Sequence, residues 1–204
     1  MAFEDFEHSE LVAASVKVLI AGGFGVGKTT MVSAVSEIPP LHTEELITEL
    51  SVGVDDLRGV DRKSTTTVAL DFGRITIDPT LVLYLFGTPG QERFWFMWDE
   101  LASGALGAVV IADTRRLEDS FAAIDFFEHR NVAFTLAVNC FEGAPLYTTD
   151  EVREALDLDA GTPVVLCDAR NRGSCKNVIV TLMEYLVERA TGVPVTDRVV
   201  DGLP

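Results

Sequence analysis

Residues 22–29 read Gly-Gly-Phe-Gly-Val-Gly-Lys-Thr, the pattern G-x-x-x-x-G-K-[ST]. An apolar run, 16–21, precedes it, and a stretch free of Gly and Pro, 29–36, follows it. A strand that passes through a glycine loop into a helix is the setting in which this pattern cradles phosphate. The glycines let the backbone approach an anion closely, the loop N–H groups point inward, and the positive end of the helix dipole adds to the attraction. Gly23, Gly25, Val26 and Gly27 are the loop residues expected around the phosphates, with Thr30 behind them at the start of the helix. Lys28 is expected to reach the β- and γ-phosphates, and the Thr29 hydroxyl to ligate Mg²⁺. The segment therefore implies binding of a nucleoside triphosphate.

The rest of the chain continues the same alternation. Apolar runs at 67–77, 81–86, 107–112, 131–139 and 163–167 read as strands, the first two joined as a hairpin at Asp78-Pro79. Helical periodicity follows Leu117, with Phe121, Ile124 and Phe127 on one face. It returns over 150–156, where Thr149 stands at the N-cap, and over 175–190, where Ile179, Leu182, Met183 and Leu186 form a stripe closed by Gly192 and Pro194. Six strands, mostly too far apart for hairpins, require an α/β fold. The sheet is expected to be six-stranded and mostly parallel, with one antiparallel hairpin strand and helices on both faces. Ligands in such sheets lie beyond the carboxyl ends of the strands, so the loops after residues 21, 86, 112, 139 and 167 are the ones to inspect.

Composition bounds the partners. The net charge of −16 disfavours nucleic acid backbones and anionic lipid, so neither is expected as a partner. Residues 1–14, with Glu4, Asp5, Glu7 and Glu10, read as an acidic mobile arm, 15–192 as one nucleotide-binding domain and 193–204 as a tail. Cys140, Cys167 and Cys175 show no metal-binding spacing and read as buried free thiols. The acidic start is unlike a secretory signal, no apolar run approaches the length of a membrane span, and no lipidation motif is visible. The expected location is the cytoplasm, with any membrane recruitment supplied by a protein partner.

Gly87-Thr-Pro-Gly-Gln-Glu-Arg-Phe94 resembles the D-T-A-G-Q-E-R-F segment of Ras-like small GTPases. Asn139-Cys-Phe-Glu142 is similar to that family's N-K-x-D guanine-reading motif, Asp168-Ala-Arg170 stands where its S-A-K lies, and Thr67-Val-Ala-Leu-Asp-Phe72 resembles the switch I threonine and following strand, T-I-G-V-D-F. The resemblance covers about residues 15–190. Within it, the long acidic segment between Thr29 and Thr67 looks like that of the bacterial cell-polarity GTPases, and the Phe86-Gly-Thr-Pro-Gly-Gln and Asn-Cys-Phe variants look like the GTPases of actinobacterial conservon operons. The resemblance implies a P-loop, Ras-like domain that binds GTP or GDP with Mg²⁺ and acts as a slow GTPase switch. It implies Gln91 and Lys28 as the catalytic residues and Thr29 and Thr67 as metal ligands, with Thr66 in place of Thr67 if the register slips by one, and Gly90 offering its N–H to the γ-phosphate. Around the base it implies Asn139, Phe141, Glu142, Asp168, Ala169 (N–H to the guanine carbonyl) and Arg170 (covering the ring). A protein effector at the switch surface, a Roadblock-type regulator and a sensor-kinase-like protein are the implied partners.

Three departures set expectations of their own. Gly87 stands where the family has an Asp that holds the metal's water shell, so weak Mg²⁺ binding and slow turnover are expected unless Asp55, Asp56 or Asp61 substitutes. Glu142 keeps the family's carboxylate with one more methylene, and Cys140 replaces a Lys. Residues 94–98, Phe-Trp-Phe-Met-Trp, are too densely apolar for one buried stripe, so two or three should enter the core and the others form an exposed patch. Two rivals remain open at this point: a P-loop ATPase or kinase, and a non-hydrolysing protein that keeps GDP as structural glue.

Overall fold

The computed structural model describes residues 14–39, 41–48, 65–90 and 92–193. The expected arm and tail lie outside these residues except for Ala14 and Val193. Strands β1 (Ala14–Ala21), β2 (Leu41–Thr48), β3 (Thr65–Asp78), β4 (Leu81–Gly87), β5 (Ala105–Ala112), β6 (Phe134–Asn139) and β7 (Val164–Cys167) form one sheet in the order β2-β3-β4-β1-β5-β6-β7. β1, β4, β5, β6 and β7 run parallel, and the expected β3–β4 hairpin is antiparallel. β2 is an additional edge strand, antiparallel to β3, that the apolar runs do not reveal.

β1 lies at the centre, and its alternation builds two cores. Val18 and Ile20 face α1 (Lys28–Val35) and α5 (Arg172–Thr191), packing with Met31, Val32, Val178 and Leu182. Leu19 and Ala21 face the other way, toward α2 (Trp98–Ala102), α3 (Phe121–His129) and α4 (Thr149–Ala155), packing with Trp98, Phe127 and Val152. Helices thus cover both faces, as parallel strands buried on each side require. α4 is capped by Thr148, one residue before the expected Thr149. The Thr148 hydroxyl accepts from the Glu151 N–H while the Glu151 carboxylate accepts from the Thr148 N–H, a reciprocal capping box.

Between β4 and α2 a 3₁₀ helix spans Glu92–Met97. Phe94 and Trp98 turn inward, whereas Trp95 and Phe96 stay exposed, the division expected from their density. Phe72 on β3 packs against Tyr84 and Phe86 of β4, on one face of the hairpin. The opposite face of β3, carrying Asp71, Gly73 and Ile75, is buried. α1 presses directly on it, since a Cβ on Gly73 would lie 2.8 Å from the Val32 side chain.

Candidate functional site

The loops that leave β1, β4, β5, β6 and β7 meet at one edge of the sheet. The first, residues 22–27, turns sharply into α1. Gly25 and Gly27 sit at φ +78° and +111°, where an L side chain is strained, and a Cβ on Gly27 would strike the Asn139 amide at 2.8 Å. Lys28 is buried and donates to the carbonyls of Gly22 and Gly23 at 2.9 and 2.6 Å. Burial pushes its ammonium down to about 8, and the Asp71 carboxylate works in the opposite direction.

A carboxylate reaches Thr29 from the strand beside Gly87. Asp71 pairs with Gly87 across β3–β4, and its Oδ2 accepts a 2.6 Å hydrogen bond from the Thr29 hydroxyl. A Cβ on Gly87 would lie 2.9 Å from the Asp71 Cβ and 3.0 Å from Oδ2, so the two positions share one space. Asp71 thus places beside Thr29 a carboxylate that the expectation from Gly87 did not include. Asp55, Asp56 and Asp61, the substitutes considered from sequence, lie outside the described residues. Oxygen donors on Thr29 and Asp71, beside a phosphate-binding turn, suit Mg²⁺, which takes one or two carboxylates together with phosphates. Among the described residues no cluster of three or more His, Cys, Asp or Glu side chains forms a separate metal site.

The loop after β4 crosses over this turn. The Thr88 N–H donates to the Ile20 carbonyl at 2.9 Å, and a Cβ on Gly90 would meet Lys28 Nζ at 2.5 Å and the Gly23 carbonyl oxygen at 2.9 Å. Gln91 lies outside the described residues; Thr67 is described only through its backbone, which pairs with Leu46 in the β2–β3 ladder.

The loop after β5 supplies residues that the sequence reading passed over. Asp113 is fully buried and accepts from the Arg115 guanidinium at 2.6–3.2 Å, which holds its carboxyl below the usual range. The same guanidinium lies 4.0 Å from the centre of the Phe141 ring, tying the β5 loop to the β6 loop. Arg116 donates to the Phe24 carbonyl at 3.0 Å and pairs with Asp119 at 3.5 Å.

Asn139 joins three loops. Its Nδ2 donates to the Val26 carbonyl at 2.9 Å, and its Oδ1 accepts from the Ala169 N–H at 3.0 Å. The Ala169 amide, expected to face the base carbonyl, is thus engaged by Asn139. Arg170, expected to cover the base, folds onto Asp168 with two 2.9 Å hydrogen bonds from its guanidinium. Glu142 is exposed and near enough to Arg170 for its charge to act on the guanidinium. From α5, the Cys175 thiol donates to the Ala169 carbonyl at 3.3 Å, and burial pushes Cys175 to about 11 and Cys167 to about 12. Both are inert structural thiols.

Of the residues singled out from sequence, the structure brings 22–29, 90, 139, 168 and 169 into mutual reach and leaves Glu142 and Arg170 at the rim. Asp71 had one legible signal, a carboxylate directly before Phe72 in the segment that resembles T-I-G-V-D-F. No helix among the described residues is long and apolar enough to cross a membrane.

A family model described as "conserved hypothetical ATP binding protein" matches residues 20–189. An uncharacterized protein from Methanocaldococcus jannaschii is 31% identical over 126 residues, 61% of this chain and 69% of that one. The Ras-related protein SEC4 from Saccharomyces cerevisiae is 24% identical over 133 residues, 61% of this chain and 62% of SEC4. The cytosolic domain of the T. maritima FeoB iron transporter, in a GDP form, superposes with a TM-score of 0.61 at 20% identity, covering 85% of this chain and 64% of that one. The chain thus spans just under two thirds of the SEC4 and FeoB chains. The likeness to FeoB shows a common fold, an α/β P-loop domain of the G-domain kind.

Proposed function

This chain belongs to the conserved hypothetical ATP binding protein family, and we propose that within it the chain works as a guanine-nucleotide switch with slow GTP hydrolysis. The observation that carries the reading is the convergence of Lys28, Thr29, Asp71, Gly90 and Asn139 on one phosphate-binding turn. In this reading the N–H groups of 23–28 and the Lys28 ammonium hold the phosphates. Thr29, Asp71 and Thr67 would hold Mg²⁺, which when bound neutralises charge on the β- and γ-phosphates. Gln91 orients a water toward the γ-phosphorus. The water oxygen forms a new bond to that phosphorus as its bond to the bridging oxygen breaks, giving GDP, inorganic phosphate and a proton. Departure of the phosphate releases Gly90 and the loop around it.

Guanine is favoured by the Glu142 carboxylate beyond β6, which suits the N1–H and N2–H₂ donors that adenine lacks. The GDP form of the FeoB domain, which shares the fold, supports the same choice. The finer likeness to conservon GTPases rests on the Phe86-Gly-Thr-Pro-Gly-Gln and Asn139-Cys-Phe segments, and that to cell-polarity GTPases on the length of the segment between Thr29 and Thr67. An effector is assigned to the exposed Trp95 and Phe96 beside the β4 loop.

The family's description, which names ATP, favours a second reading, an ATP-dependent switch on the same phosphate site. Competition of GDP and ADP for the nucleotide-free protein separates the two. The proposal expects GDP to bind at least about tenfold more tightly, a difference of 1.4 kcal/mol. Equal or tighter binding of ADP overturns guanine in favour of the second reading.

A further inference from the structure

Trp98 is almost fully buried, and its indole Nε1–H donates to the Pro89 carbonyl at 3.1 Å. The indole is held from several sides. Phe126 meets it edge-on at 5.1 Å, Phe127 lies nearly parallel at 6.1 Å, and Trp95 packs at 5.8 Å. Its position is thus fixed by α3 rather than by the loop it touches. The Pro89–Gly90 peptide is trans, so its carbonyl and its N–H point in opposite directions within one rigid plane. With the carbonyl turned to Trp98, the Gly90 N–H is directed away from α3. Gly90 itself sits against the phosphate turn, since a Cβ there would collide with Lys28 Nζ and the Gly23 carbonyl. The other end of the loop is anchored independently, by the Thr88 N–H on Ile20.

We propose that Trp98 is a positioning residue for the γ-phosphate: by holding the Pro89 carbonyl it aims the Gly90 N–H at the third phosphate of a bound triphosphate. The proposal rests on the nucleotide reading above and adds to it a residue with no contact of its own with the ligand. It makes Trp98 the point where the presence of the γ-phosphate reaches α3, because release of Gly90 and movement of the indole share one peptide plane. A diphosphate offers nothing to that N–H, so its binding is independent of Trp98.

The test compares affinities for GDP and a non-hydrolysable GTP analogue in the wild-type protein and two variants. Trp98→Phe keeps an aromatic ring but loses the donor. Site-specific replacement of Trp98 by benzothienylalanine keeps the indole's outline and puts sulfur where the N–H was, so it carries the test if the smaller ring disturbs folding. The expected result is about three- to tenfold weaker binding of the triphosphate, the worth of one hydrogen bond, with GDP affinity within about twofold of wild type. Equal losses for both nucleotides would reduce Trp98 to a packing role and overturn the proposal, as would an unchanged ratio in the sulfur variant. If the wild-type protein binds neither nucleotide, the nucleotide reading itself fails, a result distinct from the other two.

Discussion

Asp71 and Gly87 face each other across the β3–β4 pair, and the carboxylate of the first fills the space left by the missing side chain of the second. The carboxylate beside Thr29 has in effect moved one strand sideways. Gly87→Asp, which by resemblance alone should strengthen the metal site, therefore places two carboxylates in one space. Its expected cost is about 1–3 kcal/mol of stability, the usual penalty for overfilling a packed region, with no gain in Mg²⁺ affinity. Thermal unfolding and Mg²⁺ titration read both. In an Asp71→Gly background the same substitution should lose most of that cost, giving a favourable coupling in the double-mutant cycle.

Lys28 gives the site a pH dependence with a defined sign. In the nucleotide-free protein its ammonium titrates at about 8, below the ordinary 10.5, because it is buried. Bound phosphates raise that value, so binding takes up a proton. Nucleotide affinity is expected to be flat below pH 8 and to fall as pH rises above it. The free protein behaves oppositely: the cost of burying the charge is fully present below pH 8 and is relieved between 8 and 10.5, so this group raises stability across that window. Calorimetric titration in two buffers of different ionisation enthalpy near pH 8 checks the proton uptake.

Asn139→Ala strands the Val26 carbonyl and the Ala169 N–H inside the molecule. Each buried polar group left without its partner costs about 1–3 kcal/mol, so the variant should lose about 2–5 kcal/mol in denaturant unfolding. GDP affinity should fall with it, since the same amide holds the phosphate turn to the β7 loop.

Glu142→Ala tests the base pocket separately from the phosphates. Glu142 lies exposed at the rim until a base covers it, and the hydrogen bonds its charge would then accept are worth about 1.5–3 kcal/mol. GDP affinity should therefore drop at least tenfold and ADP affinity should not, which fluorescent-nucleotide competition resolves.

The sequence is legible where burial dictates residue type. Six strands announce themselves as apolar runs, β7 among them although it is the sheet's other edge. β2 does not, because its edge position tolerates a polar run, His42, Thr43, Glu44 and Glu45. The phosphate turn is legible because contiguous residues build it. Asp71 is legible only as a carboxylate before Phe72, because its place in the site depends on a register, Asp71 opposite Gly87, that no spacing along the chain encodes. In an alternating strand a lone carboxylate reads as the solvent face, whereas here it lies on the face pressed by α1. The Asp113–Arg115–Phe141 link is hidden for the same reason: its parts come from different strand ends. Thr148, by contrast, had a local signature, a Glu three residues on.

The central claim is that Asp71 supplies the carboxylate that Gly87 lacks, completing a metal-assisted phosphate site with Thr29. GDP affinity measured as a function of Mg²⁺ concentration, in the wild-type protein and in Asp71→Asn, tests it most directly. Mg²⁺ should tighten GDP binding to the wild type, and Asp71→Asn should lose at least about tenfold of that enhancement, the effect of removing a charged ligand partner, while Mg²⁺-free affinity stays within about threefold of wild type. A wild-type Mg²⁺ dependence in Asp71→Asn would contradict it.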